Sequence, residues 1–135
     1  MGTFSADISK FVQHAKENAD KATRLICYDL FSRVMQKTPV DEGTLRKSWV
    51  PSTGAPATGT DGENPLSYAM TVKYGEVIYL TNNQPYAAVV EYGGYPSPPK
   101  NGKGKTTGGY SIQAPAGMVR ISIPETVAWA NKLKL

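Results

Sequence analysis

The 135-residue sequence predicts an α+β protein, in which a long N-terminal helix packs on an antiparallel sheet of three to four strands. Two observations carry that expectation. The first third of the chain repeats apolar residues at steps of three and four, the helical period. The middle third instead alternates in short runs bounded by glycine and proline, as strands do. A single domain over 1–135 fits the length, with long loops at 52–64 and 96–109.

The first helix is read from Phe4, Ile8, Phe11, Ala15, Ala19, Ala22, Ile26, Leu30 and Val34. No glycine or proline interrupts the stretch from Thr3 to Thr38. Ser5 or Asp7 is positioned to cap its start, and Thr38–Pro39 ends it. At the rise of an α-helix it is ~45 Å long, more than the width of a small domain. Part of it is therefore expected to project, or to pack on another subunit. The alanines Ala15, Ala19 and Ala22 let another backbone approach closely, either the protein's own sheet or a neighbouring copy.

Pro39, Asp41 and Gly43 mark a turn, and Leu45–Val50 reads as the entrance to a strand with Trp49 inward. The stretch 52–64 is rich in Gly, Thr, Ala and Pro and reads as a loop. Tyr68–Tyr74 alternates, and Val77–Leu80 follows a Gly75–Glu76 turn, which predicts two more strands of a meander. Pro85–Gly94 reads as a short middle helix, with proline in its first turn and Gly93–Gly94 as its stop. A C-terminal helix starts near Pro115 and kinks, or restarts, at Pro124. The β-branched run Val119–Ile123 also admits an extended reading.

Composition narrows the functional classes. A mean hydropathy of −0.36 and 40% hydrophobic residues describe an ordinary soluble chain without an apolar run of membrane-spanning length. No signal peptide is visible at the start. One cysteine, Cys27, excludes an intrachain disulfide, as suits a reducing compartment. The formal charge of +4 is mildly basic, but its distribution is uneven. No acid lies between Glu91 and Glu125, whereas Lys100, Lys103, Lys105 and Arg120 do. This basic loop is either a solvated connection or a surface for an acidic partner or DNA. Its Gly102–Thr106 run lacks the spacing of a phosphate-binding loop.

No catalytic or metal-binding set is legible. His14 and Cys27 lie thirteen residues apart on one helix, ~20 Å along its axis, too far for a dyad. One His and one Cys do not build a metal centre, and no cofactor motif is present. Glu91 stands as a lone carboxylate among Tyr86, Tyr92 and Tyr95. It reads as a hydrogen-bond anchor, to backbone or to Arg46 or Arg120, with Tyr86 and Val90 facing the long helix. The chain is expected not to be an enzyme.

Three stretches, taken in order, carry a resemblance. They are Pro39-Val40-Asp41-x-Gly43-x-Leu45-Arg46-x-Ser48-Trp49, then Asn83-x-Pro85-Tyr86-Ala87-x-x-Val90-Glu91-Tyr92-Gly93, then Pro115-x-Gly117-Met118-Val119-Arg120. Together they resemble the HK97 gp10-like group of tailed-bacteriophage proteins, also called neck, minor-tail or tail-completion proteins. The chain departs from that pattern at Glu42, where the group often has Thr, and at Pro124. The resemblance implies a small helix-on-sheet domain without catalysis. It implies a structural virion protein of the head–tail interface, assembled in the host cytoplasm into a ring, typically a hexamer. The ring completes or terminates the tail, touches the tail-tube protein and the head-side connector proteins, and lies close to channel DNA. A non-viral or toxin-like binding module and a DNA-contacting basic-loop protein are the alternative readings. In either assembly reading, Ala15, Ala19, Ala22 and the three lysines are the candidate contacts. Tyr86, Glu91, Tyr92, Gly93, Arg46 and Trp49 form the candidate structural motif.

Overall fold

A computed structural model describes residues 2–39, 44–93, 106–107, 110–111 and 117–133. In order, these form α1 (Gly2–Lys37), α2 (Thr44–Lys47), β1 (Trp49–Thr53), α3 (Pro65–Ala69), β2 (Ile78–Asn82), α4 (Ala87–Tyr92), β3 (Thr106–Thr107), β4 (Tyr110–Ser111) and α5 (Val119–Ala130). The molecule is thus mixed helix and sheet, with a long N-terminal helix.

Helix α1 runs 36 residues, about 54 Å at the standard rise. It begins before both proposed caps, Ser5 and Asp7. Its end lies where the sequence puts it, and the termination is physical. Arg46 donates through Nη2 to the carbonyls of Gln36 (3.2 Å) and Thr38 (3.0 Å), two of the acceptors that a helix C-terminus leaves unpaired. The Thr38 hydroxyl donates back to Val34 O at 2.8 Å and accepts from Trp49 Nε1 at 2.9 Å. Arg46 and Trp49 thereby fasten the end of α1 to the segment that opens the sheet. Trp49→Phe removes the indole donor and some ring volume. We expect a loss of about 1–2 kcal/mol, seen as a lower urea midpoint with an unchanged m-value.

The sheet is smaller than the sequence suggests. β1 and β2 pair antiparallel, from Trp49 opposite Asn82 to Thr53 opposite Ile78. β3 and β4 form a separate two-residue ladder, Thr106 opposite Ser111 and Thr107 opposite Tyr110. Among the described residues each sheet has two strands, and the expected three to four are not seen. Two segments with strand-like patterns that take other structure account for the difference. Leu45–Lys47 belongs to α2, so the strand begins only at Trp49. Tyr68–Tyr74 is not a strand, because Tyr68 and Ala69 end α3 and a turn follows. Helix α3 starts at Pro65 because the Asn64 side chain accepts from the N–H groups of Leu66 (2.9 Å) and Ser67 (3.2 Å).

Helix α1 packs most extensively on α3 and α5 rather than on a sheet face. The core gathers at its C-terminal end, where Val34 meets Leu45, Trp49, Val90 and Met118. Leu30, Leu80, Tyr86 and Val119 pack around that cluster. Of the loop 52–64, Ser52 and Thr53 lie in β1, and Ala57 O and Gly59 O accept from Asn83 Nδ2. The loop 96–109 lies outside the described residues except for Thr106–Thr107, which form β3. Helix α5 carries Pro124 within one helix rather than starting anew there, and it excludes the extended reading of Val119–Ile123.

Candidate functional site: a carboxylate clamp and two open helix faces

Helix α4 is a turn and a half long and exists to place Glu91. Its N-terminal cap is Tyr86, with Pro85 one residue further out, in the preceding turn. It ends at Gly93, whose φ of 84° is open to glycine at little cost, and whose N–H bonds to Val89 O. One face turns Val90 into the core beside Val34, and Glu91 is buried next to it.

The Glu91 carboxylate closes the N-terminus of α5. Oε2 accepts from Met118 N at 2.9 Å, Oε1 from Arg120 N at 2.8 Å, and both oxygens from Val119 N at 2.8 and 3.0 Å. The cap residue of α5, Met118, has no side-chain cap of its own. A carboxylate reaching from another helix therefore supplies acceptors for three N–H groups that the helix cannot satisfy internally, at the end where its dipole favours negative charge. Arg120 closes the clamp from outside. Its Nη2 donates to Glu91 O at 2.6 Å, and its guanidinium lies 5.1 Å from the centre of the exposed Tyr92 ring. Gly117 makes the approach possible, since a Cβ there would lie 2.5 Å from Glu91 O.

The three stretches quoted for the resemblance are thus parts of one body. Leu45 and Trp49, Val90, and Met118 share the core cluster, and Glu91 ties the second stretch to the third through backbone hydrogen bonds. Gln84 Nε2 bonds to Ser48 Oγ, and Asn82 Nδ2 to Leu45 O, joining the first to the second. The arrangement is a brace. Glu91 uses both oxygens on main-chain donors, and among the described residues no group of three His, Cys, Asp or Glu side chains is placed to hold a metal ion.

The other candidates scatter. Ala15 is exposed, and Ala19 and Ala22 are half-buried. Lys100, Lys103 and Lys105 lie outside the described residues, as do Asp41 and Glu42 of the predicted turn. Among the described residues, no helix is long and apolar enough to cross a membrane. Burial pushes the Cys27 thiol above its ordinary pKa. Less thiolate is then present at neutral pH. Alkylation by iodoacetamide should run several-fold slower in the folded chain than in urea; equal rates would contradict this.

Two faces stand open. Every residue from Lys10 to Asn18 of α1 with a described side chain is exposed, Val12 at 58%. Two side-chain hydrogen bonds among them are local, Gln13 to Glu17 and His14 with Asn18. On α5 the polarity is inverted. Ser122 and Thr126 are buried, bonded to Met118 O and Asp29 Oδ2, while Ile123 and Val127 are 48% and 53% exposed. The sequence carried a signal for this: Ile123, Pro124, Val127 and Ala128 recur at helical spacing and alternate in phase with Ser122 and Thr126. Gly117 was legible only as part of the motif, without its contact.

Comparison with protein-family models, with curated proteins and with solved structures gives no match for this chain.

Proposed function

We propose that this chain is a structural subunit of the bacteriophage head–tail interface, closing into a ring of about six copies by head-to-tail contacts. In this reading the ring completes or terminates the tail and joins it to the head, between the tail-tube protein and head-side connector proteins and near the channel DNA. It is assembled in the host cytoplasm and resides in the virion.

The observation that carries the reading is the open half of α1. Of its 36 residues, the described contacts with the body lie in the second half, while Lys10 and residues 12–18 are exposed. An isolated surface helix with an apolar stripe is marginal in water and gains its stability by packing. Among the described residues, none packs over Lys10 and residues 12–18. The Glu91 brace supports the same reading, because it commits the most buried carboxylate among the described residues to rigidity, which suits a ring subunit under load. The residues behind the family resemblance are those of the brace and the core beside it.

The test is imaging of assembled particles carrying this subunit with a small label. The label is expected as a ring at the junction of head and tail. Particles that assemble with the label elsewhere, or with no ring there, overturn the proposal. A chain-length deletion of the gene should likewise yield unjoined heads and tails rather than particles defective in adsorption.

A further inference from the structure

The β1–β2 sheet has unlike edges. In an antiparallel ladder, residues that bond across it alternate with residues whose main-chain groups point away. Gly54 N donates to Val77 O at 2.8 Å, and this fixes the phase. Counting from that pair, Ser52 bonds with Tyr79 and Val50 with Thr81. Pro51 therefore points outward on β1, and Ile78, Leu80 and Asn82 point outward on β2. The β1 edge is closed to a further strand, because Pro51 has no N–H to offer. The β2 edge is open. Among the described residues, β1 is the only element that β2 packs on extensively. Among them, too, no hydrogen bond reaches the outward main-chain groups of Ile78, Leu80 or Asn82. From Val77 to Gln84 the chain carries no charge and no proline, the usual guards of an edge. Val77, which leads into the strand, is 60% exposed.

We propose that the β2 edge of one copy pairs antiparallel with the β2 edge of a second copy, about a two-fold axis at Leu80. In this register Leu80 faces Leu80 and Ile78 faces Asn82, so each outward main-chain group of the strand meets its complement. The inference goes beyond the ring reading and does not rest on it. The contact uses one edge twice, whereas a ring closes through unlike faces. The strand selects its own copy as the occupant because it is complementary to itself. Tyr79 comes opposite Thr81 of the other copy, an aromatic beside a β-branched residue, and no like charges meet. The exposed Val77 comes opposite Asn83 of the other copy. A two-stranded sheet is marginal by itself, and the pairing joins two of them into one of four strands. It also stops at two copies, because the closed β1 edges then flank the joined sheet. Leu80 already packs on the core of its own chain, so the contact is mostly main chain. One strand pair buries far less than the roughly 800 Å² per partner of a standard interface. The pairing is therefore weak and depends on concentration.

Two measurements on the full-length chain test this, and both register a weak contact. In the first, amide hydrogen exchange of the wild type is followed by NMR, dilute and at the highest soluble concentration. Tyr79 and Thr81, bonded to β1, should be protected equally in both. Ile78 and Leu80 should exchange fast in the dilute chain and several-fold more slowly in the concentrated one. In the second, Tyr79→Cys and Thr81→Cys are combined in a Cys27→Ser background, with circular dichroism to confirm the fold. Across the two-fold axis these positions face each other at a non-hydrogen-bonded site, where side chains lie closest. Under mild oxidation the double variant should form a cross-linked dimer several-fold faster than either single variant. The bond should join position 79 of one copy to position 81 of the other. Exchange at Ile78 and Leu80 that does not slow with concentration, or that is already slow in the dilute chain, overturns the proposal. So does slowed exchange with a folded double variant that fails to cross-link, which assigns the edge to another strand or register. Neither outcome touches the ring reading, which is decided by the labelled particles.

Discussion

Glu91→Ala is expected to lower stability by about 3–4 kcal/mol, among the largest losses from any single side chain in this protein. Opposing terms decide the size. Burying a carboxylate costs several kcal/mol, and alanine removes that cost. Against it stand three main-chain N–H groups, of which Met118 N is buried, left without their acceptor at once. Each buried donor stranded in this way costs about 1–3 kcal/mol, in full for the buried Met118 N and in part for the half-buried donors of Val119 and Arg120. The stranded donors win. In a domain of this size the melting temperature should fall by roughly 10–15 °C. Arg120→Ala is the control on the outer half of the clamp. Its side chain is 48% exposed and its ionic contact with Glu91 is long, at 3.9 Å. A loss near 1 kcal/mol is expected there. Glu91→Gln should fall between, because an amide keeps one oxygen acceptor but turns its nitrogen toward N–H donors. A melting temperature unchanged in Glu91→Ala would show that α5 is capped by something other than this carboxylate.

The same clamp shows where the sequence is legible and where it is not. Helix α1 is written locally, in steps of three and four without a glycine or proline, so its existence and its end at Thr38 can be read directly. The Pro85–Gly94 helix is likewise bounded by its own residues, although it begins at Ala87. Glu91 can be read as an anchor because no partner in the sequence makes it anything else. Its actual partners are main-chain groups 27 to 29 positions away, and backbone donors have no residue signature. That tertiary cap is also what turns the β-branched run from Val119 into a helix. Tyr68–Tyr74 departs from the strand that its pattern predicts for a different reason. Its alternation resembles a strand, but Asn64–Pro65 just ahead of it is a strong start signal for a helix, and the hydrogen bonds of Asn64 prevail over the alternation. The sheet then loses a strand, and α1 packs against helices instead. Whether Ala15 and the outer face of α5 are surface or interface cannot be read from spacing alone, since exposure depends on which side of each helix the body leaves bare.

Gly117→Ala is expected to cost about as much as Glu91→Ala, roughly 3 kcal/mol, from two separable sources. The first is backbone strain, because φ at Gly117 is 85°, a conformation that L residues rarely adopt. The second is steric. An added Cβ would lie 2.5 Å from Glu91 O and 3.0 Å from Glu91 Oε2, and the nearer atom is main chain that cannot swing aside. Gly54 and Gly75 separate the two. Their φ values are 87° and 90°, nearly that of Gly117, but a Cβ at either meets nothing within 4 Å. Gly75→Ala should therefore register strain alone, about 1 kcal/mol. The excess at Gly117 then measures how closely the α5 strap is drawn onto α4. That excess should be coupled to the clamp. Pushing residue 117 outward moves the adjoining N–H of Met118 away from Glu91, so Gly117→Ala already breaks part of what Glu91→Ala removes. The double variant should be less destabilised than the sum of the singles by at least about 1 kcal/mol. Additivity would mean that the glycine is needed only for its own turn. Sub-additivity would mean that the glycine and the carboxylate, 26 positions apart, work as one joint that holds the start of α5 against α4.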